Sequence, residues 1–200
     1  MAIILDGTLG ETFPSWTTAG RPASPVVGQM GYNTTTGLFD MYTASGWVSS
    51  LTNASQSIPK SALPTGSVLQ VVNALTSGAQ STTSASYSDT NLSATITPTS
   101  ATSKILVIVN HNGCDKEGGN GQALTQLLRG STFLSYLEQY GGANGTGDTQ
   151  NFGGIGLTYL DSPATTSATT YKTQYAVTTG RAYLQQAGGT SSMTLMEIAA

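Results

Sequence analysis

Residues 91–111, NLSATITPTSATSKILVIVNH, decide the fold class. Residues 91–97 alternate, with Leu92, Ala94 and Ile96 on one side and Ser93, Thr95 and Thr97 on the other. A period of two marks a half-buried strand. Pro98 ends it, because proline cannot donate to a sheet ladder. Residues 104–111 then carry five consecutive large apolars, Ile105 to Val109, which read as a strand covered on both faces. A short Ser/Thr turn joins the two.

Outward from this pair the same rhythm continues. Strands are expected at residues 67–74, 122–129, 132–138, 152–160, 169–177, 181–185 and 192–198, nine in all with the first two. In residues 169–177, Tyr171, Thr173, Tyr175 and Val177 share a face, and Lys172, Gln174 and Ala176 take the other. Residues 122–138 leave a helix open, since Leu, Gln and Glu are helix formers. Gly130-Ser131 in the middle favours two strands and a two-residue turn. Strands at this spacing point to an antiparallel β-sandwich of jelly-roll type.

Composition agrees. Of 200 residues, 7 are basic and 10 acidic, whereas Thr numbers 32, Ser 23 and Gly 24. Low charge with abundant Ser and Thr is compatible with disorder, but nine Tyr, four Phe and two Trp argue for a folded, β-rich chain. A net charge of −3 with scattered basic residues excludes the cationic face that nucleic acid requires. No apolar run approaches the roughly 20 residues of a membrane helix, and the N-terminus lacks the basic and apolar regions of a signal peptide. Synthesis in a cytoplasm without membrane insertion is expected.

The N-terminal part has a different texture. Residues 21–48, RPASPVVGQMGYNTTTGLFDMYTASGWV, hold two short aromatic runs meeting across Asn33-Thr34-Thr35-Thr36-Gly37, followed by Gly46-Trp47-Val48. This reads as a small β-hairpin or meander. So few aliphatics cannot bury a core alone, so docking on a partner surface is expected. Pro22, Pro25, Tyr32, Phe39, Tyr42 and Trp47 are the candidate anchoring residues, with the aromatics also candidates for a minimal local core. Three regions follow: a module at residues 1–51, a linker at 52–66 rich in Ser, Asn, Gln and Pro, and the sandwich at 67–200.

The pattern RPxxPxxGxxGYNTxTGxFxxYxxxxW over residues 21–47 resembles a module near the N-termini of bacteriophage virion proteins, especially fibre-like proteins of marine and cyanobacterial phages. A second stretch, residues 66–109 with "GSVLQVV" and "TTSASYSDTNLSATITPTSATSKILVIV", is similar to a recurrent domain of phage fibres and virions. That similarity continues at QLLRG (residues 126–130), YLDSPATTSATTYKTQYAV (159–177) and TLMEIAA (194–200). The resemblance implies a structural protein of the virion that forms a homo-oligomer, commonly a trimer, and attaches to other virion proteins of tail, neck or capsid. A short fibre-like appendage is the first expectation, a capsid decoration protein the alternative, and a glycan depolymerase a more distant one.

Chemistry-bearing motifs are sparse. His111 is the sole histidine and Cys114 the sole cysteine, so neither a disulfide framework nor a zinc site can be built. The pair suggests a Cys–His nucleophile, but its spacing favours a strand-end histidine capping a loop. Asp115 and Glu117 fall in a Gly-rich stretch, residues 113–121, that reads as a solvated loop tip or a weak cation site. Scattered acids do not suggest the paired carboxylates of a glycosidase. The expectation is therefore no catalytic residue, no metal and no cofactor. Residues 140–151, YGGANGTGDTQN, are long for a hairpin connection. In them Tyr140, Asn144, Asp148 and Gln150 are candidates to stack on and hydrogen-bond a host-surface sugar or protein; a neighbouring subunit or plain solvent are the other readings.

Overall fold

The computed structural model describes residues 4–6, 10–49, 63–142 and 149–200. The chain divides into two compact units, Met1–Ala62 and Leu63–Ala200. The expected linker lies outside the described residues as far as residue 62. Residues 63–66 belong to the larger unit, where the Gly66 N–H donates to the Ala199 carbonyl at 2.8 Å.

In the smaller unit, β1 (Ile4–Asp6) and β2 (Gly10–Thr12) pair antiparallel. The meander expected from sequence is β4 (Met30–Asn33), β5 (Leu38–Thr43) and β6 (Gly46–Ser49). Its first turn closes through the Gly37 N–H on the Asn33 carbonyl at 2.8 Å, with Gly37 at φ +73°. That left-handed backbone is the reason a glycine ends the Thr run. The aromatic pattern did not announce β3 (Ser15–Trp16), which adds parallel to β4.

The larger unit holds β7 (Val68–Thr76), β8 (Gln80–Thr82), β9 (Ser88–Ile96), β10 (Lys104–Glu117) and β11 (Ala123–Arg129). It continues with β12 (Thr132–Gly141), β13 (Thr149–Asp161), β14 (Thr169–Val177), β15 (Arg181–Leu184) and β16 (Ser191–Ile198). One sheet has β10 at its centre, β13 on one edge, and β16 then β7 on the other, with β15 and β8 continuing those two along the far half of β10. The second sheet has the order β12-β11-β14-β9. With β7/β8 and β15/β16 counted as interrupted strands, two four-stranded antiparallel sheets face each other in jelly-roll order. Residues 122–138 form two strands around Gly130-Ser131, not a helix.

Alternation does the packing. Leu92, Ala94 and Ile96 of β9 face Ile105, Val107 and Val109 of β10, with Leu127, Tyr171, Met193 and Leu195 closing the core. The Leu, Ile, Val and Met side chains among them contribute about 1.5–3 kcal/mol each on full burial. A doubly covered β10 is corrected by the structure. Among the described residues only its inner face is covered, and outward-pointing Ile108 stays 37% exposed.

A second correction concerns residues 113–121. β10 continues through Glu117, so Asp115 and Glu117 belong to a strand and not to a loop tip. A bulge at Gly113 carries the strand past the point where its sequence turns polar. Gly113 sits at φ +59°, and a Cβ there would lie 2.5 Å from the Gln186 carbonyl oxygen. Only glycine lets the turn joining β15 to β16 press onto β10.

Polar groups bridge the two sheets. Arg129 donates to both carboxylate oxygens of Asp161 at 2.9 and 2.7 Å, and the Tyr171 hydroxyl donates to the same group at 2.7 Å. Deeper, the Thr90 and Thr173 hydroxyls share a hydrogen bond, Thr173 Oγ1 lies 2.9 Å from His111 Nε2, and Gln185 Nε2 reaches His111 Nδ1 at 3.2 Å and Ser191 Oγ at 2.6 Å. His111 therefore spans the sandwich instead of capping a loop. Burial lowers its pKa to about 4 from an ordinary 6.5.

The unfolded chain thus takes up a proton on His111 near pH 6.5 and the folded chain only near 4. Stability falls as pH drops through that interval, by about 3 kcal/mol at its end. Urea unfolding of the native chain and of His111→Gln measures this. The variant is expected to lose most of the extra pH dependence, and parallel curves would refute the buried neutral imidazole.

Candidate functional site

The smaller unit is organised by one carboxylate. Asp40 is fully buried, and its Oδ2 accepts from Trp16 Nε1 at 3.0 Å, Arg21 Nε at 2.9 Å and Asn33 Nδ2 at 2.9 Å. Ser49 Oγ donates to Oδ1 at 2.8 Å. β3, the Arg21 segment, β4 and β6 are thereby tied to the middle of β5. Arg21, outweighing the cost of burial and helped by the three other donors, holds this carboxyl well below the usual carboxylate range. Trp16 lies directly over Gly31, where a Cβ would come within 2.3 Å of the indole.

The expected anchoring residues divide between two faces. Tyr42 and Trp47 stack edge-on at 5.2 Å, Trp47 meets Trp16 at 5.2 Å, and Arg21 lies over the Trp47 ring at 5.6 Å. These belong to the Asp40 side and form the unit's own small core. Tyr32 and Phe39 point the other way, 5.6 Å apart, with Phe13 against Phe39 at 5.3 Å. The register adds Met30, Met41 and Val48 to this outer face, all exposed. Pro22 and Pro25 are half-buried in the segment leading to β4. Asp40 and Trp16 were missed by sequence reasoning; the one acid inside an aromatic strand was the available signal.

Of the candidate ligand residues, Tyr140 is the next-to-last residue of β12 and is 74% exposed. Gln150 lies in β13, opposite Lys116. Asn144 and Asp148 fall outside the described residues. β12 carries three register shifts against β11, one of them between Glu138 and Gly141, and such bulges re-aim side chains. Tyr140 thereby joins Tyr87, Tyr136, Gln122, Gln139 and Leu124 around an open groove of about 220 Å³ on the second sheet. Burial, and then the adjoining Tyr136, push the Tyr87 phenol upward in pKa. Tyr87 was legible only as a lone aromatic in a Ser/Thr run, and Tyr136 only as part of a strand.

The other chemistry-bearing groups are engaged elsewhere. Both ring nitrogens of His111 are taken by Thr173 and Gln185. The Cys114 thiol is fully enclosed and burial pushes it up to about 12, so it stays protonated. The Lys116 ammonium donates to the Gly118 carbonyl and, at 3.1 Å, to that of Gly119, occupying oxygens a cation would need. Glu117 accepts from the Tyr183 hydroxyl. Among the described residues no three His, Cys, Asp or Glu cluster as metal ligands.

Both tryptophans lie in the smaller unit, so indole fluorescence reports on that unit alone. Asp40→Ala leaves Arg21, Trp16 and Asn33 without their shared acceptor. Breaking a buried charged node costs about 3–5 kcal/mol, comparable with the whole stability of so small a unit. Loss of the native indole emission is expected while the far-ultraviolet signal of the larger unit melts as before. In the native chain the same emission is expected to change as pH falls below the ordinary carboxylate range, because the contribution of a depressed carboxyl is present above that range and lost beneath it. Native-like emission of Asp40→Ala would contradict the assignment.

No known family model matches the chain, and no curated protein is similar to it.

Proposed function

We propose that this chain is a non-enzymatic structural protein of a bacteriophage virion, a short appendage anchored by its N-terminal unit and displaying the jelly roll. The observation that carries the reading is that each unit leaves one sheet face apolar and open. On the smaller unit this is the Phe13, Met30, Tyr32, Phe39, Met41 and Val48 face. It supplies the docking area that the unit's sparse core needs, and its partner is a neighbouring virion protein. Tyr32 and Phe39 are then contact residues, while Tyr42 and Trp47 hold the unit together.

On the jelly roll the register lines up Val71, Met196, Leu106 and Leu160 in one row across four strands, with Val71 55% and Leu160 54% exposed. Its occupant is a second copy of the chain. The only charge on this half of the face among the described residues is Lys104, at its margin and bonded to Ser162 at 2.9 Å. Copies therefore meet there without like-charge repulsion. Strand spacing and rise give the face a footprint of roughly 600 Å², near the ~800 Å² per partner of a stable interface once the rim is included. A closed homo-oligomer follows, with three copies as the number that the resemblance implies.

Sedimentation equilibrium of the full chain is expected to give an oligomer, and Val71→Glu with Leu160→Glu a folded monomer. A monomeric native chain, or an unaffected variant, would contradict the shared face. In the encoding phage, a chain lacking residues 1–51 is expected to fold yet be absent from particles. Normal incorporation would place the anchor elsewhere. Intact particles that fail to adsorb favour the appendage, whereas fragile heads favour capsid decoration.

A further inference from the structure

We infer that the tyrosine groove of the jelly roll is a binding site for a neutral saccharide. The inference rests on reading the larger unit as the displayed part of the particle. Tyr87 immediately precedes β9, Gln122 and Leu124 flank the first residue of β11, and Tyr136, Gln139 and Tyr140 come from β12. Strand order thus brings three of the chain's nine tyrosines, one beside β9 and two from β12, to one place. Leu124 is the one aliphatic side chain in a lining otherwise made of tyrosines and glutamines.

The chemistry of the lining selects the ligand. A sugar ring has an apolar C–H face and an edge of hydroxyls. Tyrosine rings offer rigid, amphipathic area at low entropic cost, and a glutamine amide presents both donor and acceptor to adjacent hydroxyls. Among the described residues no Lys, Arg, Asp or Glu lines the groove. The nearest acid in sequence, Glu138, spends Oε1 on the backbone N–H groups of Gln139 and Tyr140, at 2.9 and 2.8 Å. A charged ligand would lie in the groove without a counter-ion. The groove is smaller than the roughly 300–1,000 Å³ of enclosed ligand pockets, so a chain end or a single ring lies on it. That suits a repeated, low-affinity contact multiplied by copy number.

The full chain is titrated with maltohexaose, laminarihexaose and mannohexaose, with hexagalacturonate and a proline decamer as comparisons, and followed by calorimetry and tyrosine-ring NMR. At least one neutral hexaose is expected to bind, insensitive to salt. Tyr136→Ala and Tyr140→Ala are each expected to weaken it by about tenfold or more, as for anchoring aromatics elsewhere. Tyr140→Phe keeps the ring and is expected to bind nearly as the native chain. Tyr140 is exposed, so its replacement leaves folding intact, and the thermal midpoint checks this. Absence of binding to all three hexaoses, binding only of the galacturonate or the proline peptide, or equal affinity of the alanine variants overturns the site. Particle incorporation is scored separately for Tyr140→Ala. A chain that binds sugar but never enters particles refutes the virion reading and leaves the groove standing.

Discussion

β10 is apolar on both sides of its pleat, and among the described residues only one of them is covered. Five large apolars in succession must alternate faces in a strand. Ile105, Val107 and Val109 meet the second sheet, whereas Leu106 and Ile108 point outward into a row completed by neighbouring strands. Exposed apolar side chains scattered singly need no explanation, but a contiguous row is an interaction surface. Under the proposed assembly role, the strand at the centre of the core is also the one that contributes to the shared face.

Within the sandwich the opposite economy holds. Polar groups enter the interior as connected sets. Asp161 with Arg129 and Tyr171, and His111 with its threonine and glutamine neighbours, each join the two sheets. Half-made networks of this kind are costly. Engagement of both its ring nitrogens removes His111 from the inventory of reactive groups, and simple enclosure removes Cys114. Among the described residues, tyrosines, amides and apolar side chains are left exposed.

Much of the architecture was legible because a period of two is unambiguous. Residues 91–97, 104–111 and 169–177 read directly as strands, and Gly130-Ser131 resolved the one helix–strand ambiguity. The Gly113 bulge was not legible. A glycine in a polar stretch suggests a loop, and only contact with the turn at Gln186 requires it to extend a strand. Asp40 was hidden for a related reason. Nothing local distinguishes an exposed strand acid from one accepting bonds from four residues distant in sequence. The groove was half visible. Tyr140 stood out in its Gly-rich setting, while Tyr87 and Tyr136 join it only through strand order and the bulges of β12.

The outer face of β10 admits a direct measurement in the native, full-length chain. A soluble paramagnetic agent broadens methyl resonances in proportion to their exposure. If a second copy covers the row, the methyl groups of Leu106, Ile108 and Leu160 are protected almost as well as that of the core residue Leu195. Broadening as strong as at Val26 and Val27, each 69% exposed in the smaller unit, would mean that nothing covers this face.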